Sequence, residues 1–195
     1  MIDQRIQLPP PRLSSENSLE AILASRRSHR RFSDQELDRE QIGQLAWASQ
    51  GVTGGDQRWR TTPSAGALHA LELYVMIREQ MYHYDPVSHQ LDFQRLVDLD
   101  QVAAAAFNQR FIAQAPCCFA FAADVTRTTK IYKQRGRLYV CMDLGHSAQN
   151  LLLQATALGL VATPIGALDD VALGTILELP ADQELLYLVP IGYPN

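Results

Sequence analysis

LELYVMIREQMYHYDPVSHQLDF, residues 71–93, is the part of the chain from which the fold class is inferred. The segment Leu71 to Ile77 predicts a strand, and Met81 to Phe93 predicts a β-hairpin that turns near Asp85 and Pro86. Strands joined by a short turn pair in antiparallel fashion, whereas neighbouring parallel strands need a long crossover connection. This part of the chain therefore predicts antiparallel pairing.

The segments on either side of this hairpin do not alternate regularly between strand and helix. Apolar residues at helical spacing predict the helices, and short apolar runs between turn residues predict the strands. The predicted helices cover residues 17–26, 38–50, 102–107, 136–158 and 169–177, and the further strands cover 116–123, 161–167 and 184–191. At the start of the first helix, Asn17 and Glu20 predict a capping box. Because a doubly wound parallel sheet requires regular alternation, the whole pattern predicts the α+β class.

Length and composition predict how the chain is organised. With 195 residues, of which 47% are apolar, the chain is long enough to bury one sizeable core. We therefore expect a single compact domain over residues 17–195. Residues 1–16 contain Pro9, Pro10 and Pro11, which predicts an extended arm that becomes ordered only by lying across another surface.

Net charge and residue spacing exclude several classes of partner. The formal net charge of −4 argues against general binding of nucleic acid, which requires a surplus of Lys and Arg. No secretory signal is visible at the start and no apolar run is convincing as a membrane span, so we expect a cytoplasmic protein without membrane contact. The three cysteines and five histidines lack the spacing of a metal site, so no metal is expected.

A cluster of cations and a hydroxyl follows the first predicted helix, in the order Arg26-Arg27-Ser28-His29-Arg30-Arg31-Phe32. Guanidinium groups bind phosphate oxygens in a bidentate manner, and a serine hydroxyl adds a short donor to the same oxygens. The alternative interpretation is a solvated basic helix end that complements the helix dipole. The cluster alone is compatible with both interpretations.

Two loops of small residues add to this pattern. Residues 51–67 predict a loop, within which Thr62-Pro63-Ser64-Ala65-Gly66-Ala67 leaves room for backbone to lie against a flat ring. Thr163-Pro164-Ile165-Gly166-Ala167 ends a predicted strand, where a rigid proline followed by glycine can point a backbone amide at a cofactor atom. An ordinary surface loop and a sheet-to-helix turn are the alternative interpretations.

Seven motifs occur in an order that covers nearly the whole chain, from about Leu19 to Pro194. They are Arg26-Arg27-Ser28 with Arg30 and Phe32, Pro63-Ser64-Ala65-Gly66, Asp143-Leu144-Gly145-His146, Gln149-Asn150-Leu151, Gly159-Leu160, Pro164-Ile165-Gly166 and Pro190-Ile191-Gly192-Tyr193-Pro194. Taken together, they resemble the nitroreductase superfamily in its SagB-type dehydrogenase branch. Ordered agreement across several motifs is more specific than any one of them.

The resemblance implies a fold and a cofactor site. The implied fold is a central, mostly antiparallel sheet flanked by helices, in an intertwined homodimer with FMN at the subunit interface. Arg26, Arg27 and Ser28 are implied to bind the phosphate side of FMN, and Arg30 the pyrimidine edge of its ring. The other subunit is implied to line the ring with Pro63, Ser64, Ala65 and Gly66. Pro164, Ile165 and Gly166 are implied to place a backbone amide near the reactive N5 atom.

The resemblance also implies an activity, namely hydride transfer through flavin N5 between NAD(P)H or a small organic substrate and an acceptor. SagB-type dehydrogenases carry a Lys-Tyr pair just before the long helix, whereas here Ile131 precedes Tyr132. Tyr132 and Lys133 are the candidate catalytic residues, with a lysine as general base. A second hypothesis is a non-catalytic or weakly catalytic flavoprotein subunit of a peptide azole-forming complex.

Overall fold

The computed structural model describes residues 2–55 and 59–195 of the chain, and it confirms the α+β class. Its seven strands form one antiparallel sheet in the order β1-β4-β3-β2-β5-β7-β6. The strands are β1 (Arg5–Gln7), β2 (Leu71–Ile77), β3 (Gln80–Asp85), β4 (Gln90–Leu96), β5 (Cys117–Ala123), β6 (Val161–Ala162) and β7 (Glu184–Gly192). The described residues also form the helices α1 (Leu19–Ser25), α2 (Arg39–Gln50), α3 (Leu99–Ala105), α4 (Phe111–Gln114), α5 (Val125–Tyr132), α6 (Arg135–Ala157) and α7 (Asp170–Ile176).

Strand β5 is an inner strand of the sheet, and every one of its seven residues is buried. It pairs with β2 on one side, where Phe121 lies opposite Leu73, and with β7 on the other. Alternate side chains of a strand point to opposite faces. Phe119 and Phe121 accordingly join a core covered by α2 and α6, while Cys118 and its alternate neighbours join a second core covered by α3, α4 and α7. Helices on both faces explain why the strand is continuously apolar.

The long helix α6 is held against α2 by a buried polar network. The hydroxyls of Ser49 and Ser147 lie 2.9 Å apart, and Gln50 Nε2 donates to Ser147 Oγ at 2.7 Å. Buried hydroxyls and amides cost free energy unless they are hydrogen-bonded, and here each has a partner. The network therefore fixes how α6 lies on α2, and α6 in turn positions the candidate site.

Several element boundaries differ from those predicted. The predicted capping box at Asn17 is wrong, because Ser18 Oγ accepts from the amide of Ala21 while Asn17 Nδ2 donates to Ala157 O in α6. The predicted strand over 161–167 is paired as a strand only at Val161–Ala162. Helices α4 and α5 were not predicted, since both are short and α5 consists largely of polar residues.

The first residues of the chain add an edge strand to the sheet. Strand β1 pairs with β4, so that Ile6 lies opposite Leu91, and both side chains are buried. Arg12 then contacts α2, where its amide donates to Gln44 Oε1 at 2.8 Å. Within residues 2–55 and 59–195, none of the helices combines the length and the apolar character that a membrane span requires.

Candidate functional site

The residues after α1 bring a cation and a hydroxyl into one cavity. Helix α1 ends at Arg26, and the chain then runs beside β6, where the amide of His29 donates to Ala162 O at 3.0 Å. This pairing places Arg26 and Ser28 in the wall of a cavity of about 580 Å³. Pro164 lines the same cavity. Two of the predicted motifs thus meet in the folded chain, although they are more than a hundred residues apart in sequence.

Helix α6 forms another wall of this cavity. Leu144, Gly145, Ala148, Gln149 and Leu152 line it, together with Cys141. Gly145 and Ala148 have no side chain or a small one, which leaves room for a bound molecule beside the helix. Gly145 and Gln149 belong to the sequence motifs, but the sequence does not predict that they line a cavity.

Arg27 and Arg30 of the cluster are already engaged within the chain. Arg27 Nη1 donates to the carbonyl oxygens of Ala24 and Arg26 at 2.9 and 2.7 Å, where it satisfies carbonyls at the end of α1. The Arg30 guanidinium lies over the ring of Phe111, 5.9 Å from its centroid. Of the predicted cations, the structure therefore brings Arg26 to the cavity wall and holds Arg27 against its own helix.

The turn after β6 combines a buried hydroxyl with a free amide. Thr163 Oγ1 is buried and has no hydrogen-bond partner among the described residues. Ile165 is buried and exchanges backbone hydrogen bonds with Leu188, so its side chain belongs to the core. Gly166 is exposed and, in the described part of the chain, its amide makes no hydrogen bond. A Cβ at Gly166 would lie 3.1 Å from the ring of Tyr187, so glycine allows the ring to approach the backbone.

The loop around Pro63 is hydrogen-bonded to α6 on the side opposite to the cavity of Arg26 and Ser28. The amide of Ala65 donates to Asp143 Oδ2 at 3.2 Å, and Ser64 Oγ accepts from the amide of His69. Gly66 has φ of +60°, a left-handed conformation that favours glycine. Pro63 and Gly66 are exposed, and neither lines the cavity of Arg26 and Ser28. The structure of one chain therefore does not bring this loop to that cavity.

Tyr132 contacts the same loop. A Cβ built on Gly66 would lie 2.8 Å from Tyr132 Oη, so the hydroxyl lies directly against this glycine. The Tyr132 ring meets Tyr139 edge-on, with centroids 5.0 Å apart. Lys133, the other candidate catalytic residue, has φ of +52° and its Nζ donates to Lys130 O at 3.0 Å. It connects α5 to α6 and is exposed.

A second polar cluster lies between β2 and β3 and is separate from the Arg26 cavity. Glu72 accepts from Arg127 Nη2 at 2.6 Å and lies 2.8 Å from His83 Nε2. Burial alone raises the pKa of Glu72, but the hydrogen bond to His83 and the charge of Arg127 outweigh it, so the pKa lies below its ordinary value. The folded protein therefore favours the ionised form of this carboxyl.

Comparison with known proteins identifies the family. The family model described as the Nitroreductase family matches residues 23–193. The chain belongs to the nitroreductase family. A Methanocaldococcus jannaschii protein described as a "putative nitroreductase" is 39% identical over 197 residues, which cover 96% of this chain and 95% of the relative. The resemblance to the nitroreductase superfamily is thus confirmed, whereas the SagB-type branch stays a prediction.

Solved structures share the nitroreductase fold. The crystal structure of a "putative nitroreductase" from Ralstonia eutropha JMP134 superposes with a TM-score of 0.88 at 29% identity, and the match covers 99% of this chain and 90% of that one. An NADPH:FMN oxidoreductase from Vibrio harveyi, complexed with NAD⁺, superposes with a TM-score of 0.69 at 21% identity, covering 92% of this chain and 70% of that one. As a member of the nitroreductase family, the chain is an oxidoreductase with FMN as its cofactor.

The residues of the cavity fit this cofactor. A phosphate group requires cationic or hydroxyl donors, and Arg26 and Ser28 provide both in one wall. A flavin ring nitrogen requires a free donor, and the amide of Gly166, which makes no hydrogen bond within the described residues, lies two residues after Pro164 of the cavity wall. The buried hydroxyl of Thr163, which has no partner among the described residues, lies next to the same turn.

Proposed function

We propose that the chain works as a homodimer in which each FMN is held between two subunits. Arg26 and Ser28 of one subunit bind the phosphate side, and residues 63–66 of the other subunit cover the ring. When bound, FMN supplies two-electron transfer through its N5 atom. The chain itself provides the binding, the orientation and the charges around that atom.

The position of α6 between two half-sites carries this proposal. Asp143 holds the loop through the amide of Ala65, whereas Gly145 lines the cavity of Arg26. These two helix positions differ by about 200° around the helix axis, at 3.6 residues per turn. One chain therefore presents a phosphate half and a ring half on different sides of one helix, and a second copy brings a loop to each cavity.

Exposed apolar side chains on α1 and α6 support the homodimer. No residue of α1 is buried, and its Leu19 and Leu23 are exposed. Leu138 and Met142 on α6 are exposed as well, one turn apart. Large apolar side chains exposed at a surface can mark a site of association. Both helices flank the half-sites, so association through them is expected to complete the cofactor site.

The remaining predicted residues have distinct proposed roles. Arg27 supports the end of α1 and so positions Arg26, because its guanidinium binds the carbonyls at this helix end. Arg30 provides positive charge beside the ring edge, where it stabilises the negative charge of a reduced ring. Pro164 and the buried Ile165 fix the direction of the Gly166 amide. This amide orients the ring at its reactive nitrogen.

We also propose that the reaction is of the SagB-type dehydrogenase kind, with NAD(P)H or a small organic substrate as the electron donor. The contact of Tyr132 Oη with Gly66 supports this proposal, because it places a hydroxyl beside the loop that covers the ring of the other subunit's site. Tyr132 is proposed to hold or release a proton at Oη, with Lys133 as the base next to it.

Subunit complementation tests the composite site. Each of two variants carries one damaged half: R26A/S28A lacks the phosphate donors, and P63W places a bulky ring on the exposed loop residue. A heterodimer of these two variants, purified with two tags, contains one site in which both halves are intact. We expect it to bind one FMN, while each variant homodimer binds little. A heterodimer without FMN, or a monomeric wild-type protein, would contradict the composite site.

A second experiment tests the proposed chemistry. The wild-type homodimer should have a flavin spectrum that is bleached anaerobically by NADH, NADPH or an oxidisable substrate. Y132F should bind FMN normally but lose turnover with substrates that need a proton at this position. Turnover by the isolated wild-type homodimer would exclude a merely non-catalytic role as subunit of a peptide azole-forming complex. An unchanged pH profile and rate in Y132F would remove Tyr132 from the mechanism.

A further inference from the structure

A second cavity lies beside β2 and β3, and it contains a half-buried arginine. Its volume is about 440 Å³, and its wall includes Arg60 from the loop after α2, Glu72 from β2 and Tyr84 from β3. Within the described part of the chain, no residue lines both this cavity and the cavity of Arg26 and Ser28. The two cavities are therefore separate.

The half-buried arginines of the described chain are either ion-paired or lie in a cavity wall. Arg78 and Arg95 are half-buried, and each forms an ion pair with a glutamate. Arg26 and Arg60 are half-buried to a similar degree, form no ion pair among the described residues, and each lines a cavity. A charge that is partly removed from water costs free energy unless it is paired. By this comparison, Arg60 marks a second place where the fold leaves a cation available to an anion.

The hydrogen-bond donors of Arg60 are only partly used within the chain. Its Nη1 donates to Gln50 O at 3.2 Å, whereas its Nε is buried and has no partner among the described residues. Burial also lowers the pKa of Arg60, because removal from water disfavours the charged form. The Nε–H and an N–H of Nη2 are parallel donors of the kind that a carboxylate accepts in a bidentate manner. A guanidinium that turns toward a carboxylate in the cavity would satisfy both donors.

The acidic side chains of the cavity do not neutralise Arg60. Each of the three carboxylates in the wall has a hydrogen-bond donor elsewhere in the chain, namely Arg127 for Glu72, Ser88 for Asp85 and Arg5 for Asp92. Their negative charges repel a polyanion such as phosphate more strongly than they repel a ligand with a single charge. The cavity therefore favours a monovalent anion.

Apolar side chains form another part of the wall. Leu68, Leu71, Leu73 and Val87 all line the cavity. Leu71 and Leu73 are buried, whereas Val87 is 49% exposed at the turn between β3 and β4. An apolar group that packs against these side chains is removed from water, which favours its binding. The wall thus combines one cation that has no ion pair among the described residues with an apolar surface.

We propose that this cavity binds a small carboxylate with a short apolar tail, and that Arg60 holds the carboxylate while the leucines contact the tail. Such a ligand combines the single negative charge with the apolar group that the wall accommodates. The site uses residues of one chain, and it requires neither FMN nor a second subunit.

Titration with sodium butyrate tests the site, at an ionic strength kept constant with sodium chloride. Tryptophan fluorescence is the readout, since Trp59 directly precedes Arg60. We expect a saturable change with butyrate, a Kd that falls by up to about 4-fold for each methylene added in hexanoate, and no saturable change with phosphate or butylamine. Arg60→Gln should raise the Kd of butyrate at least about 10-fold, because it removes a charge-assisted hydrogen bond. Arg78→Gln, at an ion-paired arginine outside the cavity, should keep the wild-type Kd.

A second pair of variants keeps the test valid if the Arg60 variant folds poorly. Val87 is exposed, so Val87→Glu and Val87→Gln should both fold normally. Val87→Glu should raise the Kd of butyrate, because it adds a negative charge to the wall, whereas Val87→Gln should change it little. An unchanged Kd in folded Arg60→Gln and in Val87→Glu, equal binding of phosphate, or a loss of binding in Arg26→Ala instead would overturn the proposal. The flavin spectrum of the same protein reports separately on the proposed cofactor site.

Discussion

The inner strand β5 and the segment that follows α1 use their side chains in opposite ways. All seven residues of Cys117–Ala123 are buried between two layers of helices, and the strand is paired along both edges. Residues 26–31 are almost entirely exposed, and four of them are arginines. Side chains that are buried in the core determine stability, whereas exposed cations that form no ion pair among the described residues are available to a ligand. Substitutions in the two regions should therefore affect different measurements.

The largest effect is expected for Phe121→Ala in β5. Phe121 is fully buried, so its removal loses the transfer free energy of the ring and leaves a cavity. Such substitutions cost about 3–5 kcal/mol. Denaturant unfolding of the FMN-free protein should show this loss, while L96A at an exposed position should change the free energy of unfolding by less than about 0.5 kcal/mol. Equal losses in the two variants would mean that β5 is not the centre of the core.

Arg26→Ala should show the reverse behaviour. Its guanidinium is proposed to make a charge-assisted hydrogen bond to the FMN phosphate, which contributes about 1.5–3 kcal/mol, or about a 10- to 150-fold change in the Kd of FMN. The free energy of unfolding of the FMN-free protein should change by less than about 0.5 kcal/mol. Fluorescence titration of the apoprotein with FMN measures the Kd. Arg5→Ala is the control, because Arg5 pairs with Asp92 at the far edge of the sheet.

The fold could be predicted from the sequence where the pattern is long and uniform. The apolar run at residues 116–123, the hairpin around Pro86 and the long helix over 136–158 all correspond to elements of the structure within a few residues. The errors fall where two neighbouring residues can take the same role. Asn17 and Ser18 can both cap a helix, and only the contact of Asn17 with Ala157 shows why Ser18 caps this one.

The candidate site could be predicted only in part. The motifs around Arg26 and Pro164 meet in one cavity, but no local pattern shows that Arg27 binds its own helix end. The support that Asp143 gives to the loop is a contact across 78 residues of sequence. Phe107 and Asn108 have φ of +54° and +59°, and nothing in the sequence around them predicts a left-handed backbone. These features depend on tertiary contacts, which periodicity does not encode.

Gly136→Ala should have an intermediate effect, at the contact between α5 and α6. Gly136 lies near the start of α6, and a Cβ there would approach the backbone nitrogen of Thr129 in α5 to 2.7 Å. Backbone cannot yield as a flexible side chain does, so we expect a destabilisation of about 1–3 kcal/mol. Because the added Cβ would meet the backbone of α5, hydrogen exchange should show the loss of stability mainly in α5, the helix that carries Tyr132. Gly145→Ala is the matched control for the same helix, since a Cβ there has open space in the isolated chain.

The smallest effect is expected for Glu72→Gln. This substitution removes a carboxylate that is paired with other side chains of the fold, in contrast to the exposed arginines after α1. Since the pKa of Glu72 is lowered in the folded state, its ionised form adds stability above its ordinary pKa of 4.5, and this contribution is lost as the pH falls below that value. The glutamine variant cannot titrate, so its free energy of unfolding should fall less steeply than that of the wild type on acidification. Glu79→Gln, at an exposed position without an ion pair among the described residues, should keep the wild-type slope. If the wild type and the Glu72 variant lost stability in parallel, the contacts with His83 and Arg127 would not contribute to the acid dependence, and Glu72 would resemble the unpaired charges after α1.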